Sequence, residues 1–260
     1  MIVLLILLVC AAVVGYLGLT YYNVHKKANF SHKYVLYVYP DMSEAEILDS
    51  LEAGAGMVER RFMEKAFEAE EAAGRILPGK YVVSPSDPSI YVARMLTHGW
   101  QTPQMMTLSG TIRTKEKIAQ KIGLQMMVDS AAVADALYDK EFLAEYGCTP
   151  DNVFTMILPD TYEMYWTASV KDIFDRLKKE YEAFWTPERD AKAKAQGLDR
   201  QEVSVMASIV SGETLKAFEY PVIAGVYLNR YKIGMKLLLW YNVPYVGIHS
   251  SAYENFKGMF

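Results

Sequence analysis

One carboxylate in the last third of the chain could do chemistry because it ends an apolar helical pattern. Val203 and Val210 share one face of a predicted helix, and Glu213 follows three residues later on the same face. Loss of water on a buried face and the negative end of the helix dipole both favour the protonated carboxylic acid there. Such a group can act as a general acid. The pattern makes Glu213 a candidate for a partly buried catalytic acid. The alternatives, a buried glutamate neutralised by Arg230 or Lys216 or a helix-end residue in water, are slightly better supported on the pattern alone.

A second candidate is the segment LPDTYEMYW, residues 158–166, which combines aromatic and acidic side chains. Aromatic rings can cover the apolar faces of a sugar, and carboxylates accept hydrogen bonds from its hydroxyls. Tyr162 and Glu163 are therefore candidate sugar-binding residues. The alternative, a strand or loop whose rings fill the core, is the better supported on the segment alone.

Other common chemistries have no signature in the sequence. The four histidines are scattered, and the chain has no HExxH or CxxC metal motif, no GxSxG nucleophile motif, no P-loop and no dinucleotide fingerprint. With a net charge of −4 and a pI of about 5.7, the chain is not expected to bind nucleic acid. We expect no metal and no cofactor.

The first residues predict a membrane anchor. Residues 1–20 carry no charge and are followed by Tyr21 and Tyr22, and about 20 apolar residues suffice for a helix to cross a bilayer. A cleavable signal would have a basic start and a small-residue cleavage site. The anchor is placed at residues 1–22. Lys26 and Lys27 alone would hold that end in the cytoplasm.

The remaining pattern predicts an α+β chain in two parts. Strands are expected over residues 33–40 and 77–85, with helices over residues 43–54, 58–73 and 87–99, which gives a small β-α-α-β-α domain at residues 33–105. After one further strand the pattern is mostly helical. These helices are predicted at residues 114–123, 130–136, 140–146, 170–185, 187–196, 199–214 and 221–231.

Four segments resemble one protein family in order and spacing: RTKEKIAQKIG, YGCTPDNVFTMILPDTYEMYW, ASIVSGET and YPVIAGVYLNRYKIGMKL. The family is the YceG-like (MltG) endolytic murein transglycosylases, in the form most similar to that of Bacteroidota. The resemblance covers the anchor and residues 33–237. It implies a single-pass protein of the inner membrane, with a LysM-like domain at residues 33–105 and a lytic-transglycosylase-like catalytic domain at residues 106–260, incomplete at its C-terminus, on the periplasmic side.

The resemblance also implies a reaction and its residues. The family's catalytic glutamate falls on Glu213. The implied reaction cleaves the MurNAc–GlcNAc β-1,4 bond within nascent glycan strands, leaves 1,6-anhydroMurNAc ends and terminates elongation. Glycan strands are the implied substrate, and peptidoglycan synthases are candidate partners. The implied substrate-binding residues are Tyr162, Glu163, Thr214 and Asn229.

The sequence departs from the family pattern in three places. Ser211 stands where the family usually has a first glutamate, and residues 238–249 replace a Gln-x-Asp-Pro-Thr stretch. The chain ends at Phe260, before the family's usual end. These departures leave a second hypothesis open, a catalytically impaired relative that binds glycan or acts as a scaffold.

Overall fold

The computed structural model describes residues 2–214, 216–235 and 248–249. The α-helices among them are α1 (Ile2–His25), α2 (Glu44–Ala55), α3 (Arg60–Ala69), α4 (Ser89–Thr97), α5 (Lys115–Gly123), α6 (Ser130–Tyr138), α7 (Lys140–Ala144), α8 (Val170–Phe184), α9 (Pro187–Ala195), α10 (Arg200–Glu213) and α11 (Tyr220–Lys232). The strands are β1 (Tyr34–Val38), β2 (Gly79–Val83), β3 (Gln104–Leu108), β4 (Thr111–Ile112), β5 (Asp160–Met164) and β6 (Ile248–His249). The predicted mixed α+β, mostly helical class is confirmed.

Helix α1 is the one described helix that is long and apolar enough to cross a membrane. Its side chains are exposed along most of its 24 residues. The helix continues past the predicted end of the anchor to His25, and Val24 in its last turn is buried. The end of α1 is therefore packed against protein.

The contacts divide the chain into two compact units, the first being Met1–Pro103 with Tyr165–Thr167. After α1, this unit has the predicted order β-α-α-β-α, and β1 pairs antiparallel with β2. Buried side chains of α2, α3 and α4 pack with those of the two strands into one core. Local signals explain these elements: Ser43 and Glu46 form a capping box at the start of α2, and Gly56 ends it with a positive φ of 61°.

The second unit comprises Gln104–Met164 and Ala168–Phe260. In it β3 pairs antiparallel with β5, and β4 pairs antiparallel with β6. One hydrophobic core lies between β3, β5 and helices α5 to α8. Smaller clusters join α10 to α9 and to α11.

Helix α10 carries the predicted acid and is bounded by clear signals. Asp199 and Glu202 form a capping box at its first turn, and Thr214 ends it in an extended conformation. Met206 and Val210 on its buried face pack against α11. The predicted helix over residues 199–214 is confirmed.

Candidate active site

Glu213 is the last residue of α10, and one side chain from α11 reaches it. The Tyr227 hydroxyl donates a hydrogen bond of 2.6 Å to Glu213 Oε1. Tyr227 is 9% exposed and belongs to the cluster between the two helices. Because the hydroxyl is fixed by this packing, it sets the orientation of the carboxylate.

The same hydrogen bond affects the pKa of Tyr227. Its pKa is raised above the usual value, first by the hydrogen bond to Glu213 and second by burial. The raised pKa keeps the Tyr227 hydroxyl protonated, so Tyr227 remains the donor in its contact with Glu213.

The expectation that Glu213 is partly buried is wrong among the described residues, where its side chain is exposed. The apolar stripe of α10 stays buried at Val210, but Glu213 lies at the end of the helix. Beside it Gly212 is also exposed, and no atom of the described residues lies within 4 Å of the place where its Cβ would be. The described part of the chain therefore leaves that side of the helix end uncovered.

The alternative of a carboxylate neutralised by a cation is not what the described residues show. Lys216 pairs with Glu219 at 3.4 Å, and the Arg230 guanidinium lies 5.8 Å from the ring centre of Tyr227. Within the described ranges, the carboxylate has a tyrosine donor and no ion pair.

Thr214 organises the turn that follows the acid. Its hydroxyl donates a hydrogen bond of 2.6 Å to Glu219 Oε2 and accepts one of 3.1 Å from the backbone NH of Lys216. A short 3₁₀ helix, Ala217–Glu219, follows and leads into α11, which begins at Tyr220. Thr214 therefore stabilises the connection that places Tyr227 of α11 beside Glu213.

Asn229 lies on α11 two residues beyond Tyr227 and is exposed. A side chain that is exposed there can meet a ligand from solvent. Its predicted role in substrate binding stays a prediction.

The structure places Tyr162 in the core. Its side chain is 1% exposed, and its hydroxyl donates to the Leu158 carbonyl at 2.5 Å. This is the packing alternative of the sequence analysis, because side chains alternate along β5 and Tyr162 is on the inward face. A ring so enclosed cannot stack on a sugar, so the geometry opposes its assignment to substrate binding.

Glu163 is exposed on the opposite face of β5. Its backbone carbonyl accepts a hydrogen bond of 3.2 Å from Arg176. No hydrogen bond among the described residues joins Glu163 to Glu213, so its assignment to substrate binding stays a prediction.

Sequence reasoning missed Tyr227. The residue is one of three tyrosines in α11 and stands 14 positions after Glu213. Its spacing of seven residues from Tyr220 places both on one helix face, and that face is the one turned to α10. This spacing is the sequence signal that could have placed Tyr227 on the face of α11 that contacts α10.

Ser211 is the other notable side chain near the end of α10. It is 3% exposed, and within the described part of the chain its hydroxyl has no hydrogen-bond partner. A serine fits this buried position sterically, whereas a glutamate would bring a charge that needs a partner.

A cleft among the described residues lies elsewhere. It has a volume of about 310 Å³ and lies at the start of α10, where Arg200 and Gln201 line it together with Lys178, Tyr181 and Cys148. With a rise of 1.5 Å per residue, Glu213 is about 18 Å farther along the helix. The cleft and the carboxylate are therefore separate features.

Within the described ranges, no group of three or more histidine, cysteine, aspartate or glutamate side chains could hold a metal ion.

Comparison with known proteins places the chain in a family. The profile of the YceG-like family matches residues 36–255. The chain belongs to the YceG-like family. YceG-like proteins are related to peptidoglycan transglycosylases and are associated with lytic transglycosylase activity.

A crystal structure of a protein described as yceG-like from Listeria monocytogenes has the same fold. It superposes with a TM-score of 0.52 at 18% sequence identity, over 86% of this chain and 90% of the Listeria chain. Comparison with curated proteins gives no match. The similarity to the Bacteroidota form and the incomplete C-terminus stay predictions.

Proposed function

We propose that the protein is a membrane-anchored endolytic peptidoglycan lytic transglycosylase with Glu213 as its catalytic acid and base. The observation that carries the proposal is the pair formed by Glu213 and Tyr227 at the junction of α10 and α11. Membership of the YceG-like family supplies the substrate class, the glycan strands of peptidoglycan.

One carboxyl group suffices for the proposed reaction. Protonated Glu213 donates its proton to the oxygen that leaves MurNAc C1 as the glycosidic bond breaks. The ionised carboxylate then takes the proton of the MurNAc 6-hydroxyl, and O6 bonds to C1 to close the 1,6-anhydro ring. Water is not the nucleophile, so the water-activating second carboxylate of an inverting hydrolase is not required.

The contact with Tyr227 suits this double role. Its hydroxyl holds Glu213 Oε1 at 2.6 Å, which leaves the second carboxyl oxygen to exchange the proton. The hydrogen bond keeps the carboxylate in place at the stage at which O6 must lose its proton. Tyr227 is a positioning residue, since it acts through Glu213.

In this proposal α1 anchors the protein in the inner membrane and both units lie on the periplasmic side. The length and composition of α1 support anchoring, and the family implies the side. Lys26 and Lys27, which follow α1, favour the cytoplasmic side instead, but they are only two charges. The division into a small domain at residues 33–105 and a catalytic domain from residue 106 is part of the proposal. Peptidoglycan synthases remain candidate partners.

The test compares the full chain in detergent with its Glu213→Gln variant on uncrosslinked glycan strands. Mass spectrometry should find 1,6-anhydro ends with the wild type and a loss of about 100-fold or more in the variant. Glu188→Gln is the matched control, because Glu188 is exposed on α9 and bonds only to Lys192 among the described residues; it should keep full activity.

A second function has an observation in its favour, the departures at Ser211 and residues 238–249. If the wild type leaves strands intact but sediments with them, the protein is a glycan-binding relative rather than a lyase. Equal activity in wild type and Glu213→Gln would contradict the assigned residue.

A further inference from the structure

The hydroxyl of Thr214 makes two hydrogen bonds within the turn between α10 and α11. It donates to Glu219 Oε2 at 2.6 Å and accepts the backbone NH of Lys216 at 3.1 Å. A threonine hydroxyl has one proton to donate, and that proton is directed at Glu219. Thr214 therefore has no proton left to donate to a sugar, which opposes its implied assignment to substrate binding.

Glu219 holds the other end of this hydrogen bond at the start of α11. It is the last residue of the 3₁₀ helix and directly precedes α11. Its backbone NH donates to the Lys216 carbonyl at 3.0 Å, and its Oε1 lies 3.4 Å from Lys216 Nζ. The helix dipole also favours a negative charge at the start of α11. The carboxylate of Glu219 is therefore a fixed acceptor for Thr214.

The hydrogen bond between Thr214 and Glu219 joins the residue after the proposed acid to the residue before α11. Thr214 follows Glu213 in an extended conformation, with φ −150° and ψ 153°. Farther back, α10 and α11 meet through apolar side chains such as Val210 and Ala224. Apolar contacts have little directionality, whereas a hydrogen bond from a hydroxyl to a carboxylate is strong and directional. This bond therefore helps to set the direction in which α11 leaves α10.

The contact between Glu213 and Tyr227 depends on that direction. Glu213 is the last residue of α10, its side chain is exposed, and the Tyr227 hydroxyl on α11 donates to it at 2.6 Å. The two side chains come from different helices, so a change in the turn moves one relative to the other. Displacements of this kind at a reacting group lower the rate strongly.

We propose that Glu219 is a positioning residue for the catalytic acid. Through Thr214 it holds the turn in the form that keeps Tyr227 in contact with Glu213. The inference rests on the proposed function, since it assigns a role at the same site. It gives Thr214 a positioning role in place of the implied role in substrate binding.

The first test follows the contact itself by NMR of the full chain in detergent micelles. All tyrosines carry ¹³C at the ring carbon that bears the hydroxyl. The resonance of Tyr227 is identified by its absence in Tyr227→Phe, and Glu213→Ala gives its position when the contact is lost. Glu219→Ala and Thr214→Val should each move the resonance toward that position. Thr214→Ser keeps the hydroxyl and Glu219→Gln keeps an acceptor, so both should leave it near the wild-type position.

The second test measures the rate at which the same variants form 1,6-anhydro ends on uncrosslinked glycan strands. Glu219→Ala and Thr214→Val should each lower kcat by about tenfold with KM little changed. The double variant should be no slower than either single variant, because both remove the same bond.

Thr186→Val is the matched control for both tests. It removes a hydroxyl that accepts the backbone NH of Arg189 at 3.3 Å, at the start of α9. The loss of this cap should lower stability and leave both the Tyr227 resonance and kcat unchanged.

A Tyr227 resonance that stays in place in Glu219→Ala would overturn the inference. A raised KM with an unchanged kcat in Thr214→Val would also overturn it, because that result identifies Thr214 as a substrate-binding residue. A wild-type protein that forms no 1,6-anhydro ends would overturn the proposed function, and the resonance would still decide the inference.

Discussion

At the scale of single residues, the proposed chemistry depends on the contact between Glu213 and Tyr227. The position of Glu213 at the end of a helix could be predicted from the apolar spacing of α10. Its exposure and its tyrosine donor could not, because both depend on how α11 folds back after the turn at Thr214. The burial of Tyr162 was likewise undecided until its face of β5 was known.

Replacing Tyr227 by phenylalanine should lower the rate of the reaction. The Tyr227 hydroxyl donates to Glu213 Oε1 at 2.6 Å, so its loss leaves the carboxyl group less well positioned. We expect kcat to fall by about tenfold, measured as the rate at which 1,6-anhydro ends form on uncrosslinked glycan strands.

Tyr231→Phe is the control for that measurement, because Tyr231 donates to Glu202 at the start of α10. It should keep kcat near that of the wild type. An unchanged kcat in Tyr227→Phe would show that the hydroxyl does not act on the catalytic acid.

At the scale of elements, the two ends of α10 have different roles: the first turn stabilises the helix, and the last residue carries the proposed chemistry. Its first turn is fixed by the side chains of Asp199 and Glu202, which accept hydrogen bonds from each other's backbone NH at 2.9 Å or less. Its last residue is the proposed acid. The helix was predictable from this capping box, whereas the cleft at the same end needs side chains from α8 and from the residues around Cys148.

Asp199→Ala should therefore lower stability with little effect on the acid at the other end. Loss of an N-cap costs about 1 kcal/mol, which corresponds to a fall in Tm of roughly 2–4 °C for a chain of this size. Thermal unfolding followed by circular dichroism measures it, with the exposed turn residue Asp151→Ala as the control. A fall no larger than that of the control would contradict the role of the cap.

At the scale of the whole molecule, the chain forms two units with separate cores. The β-α-α-β-α order of the first unit was predictable because each turn and cap is local in sequence. The pairing of β3 with β5 was not, since more than 50 residues separate their partners, as in Gln104 and Met164. The burial of Val24 at the end of α1 was also missed, because an apolar segment gives no sign of which end meets protein.

Two valines of α1 test whether its end belongs to the small domain. Val24→Ala removes two methyl groups from a side chain that is 3% exposed and should lower the free energy of unfolding of the small domain by about 2 kcal/mol. Val14→Ala makes the same change where the side chain is 68% exposed and should have little effect. Chemical denaturation in micelles measures both, and equal effects would contradict the packing.

The central claim is that Glu213 transfers a proton between the two sugar oxygens without using water as the nucleophile. The most direct measurement is mass spectrometry of the glycan ends formed by the wild-type protein in water enriched in ¹⁸O. The account predicts new ends that lack the mass of one water and carry no ¹⁸O, and no new ends with Glu213→Gln. Ends that gain one water with its ¹⁸O would identify a hydrolase and contradict the account.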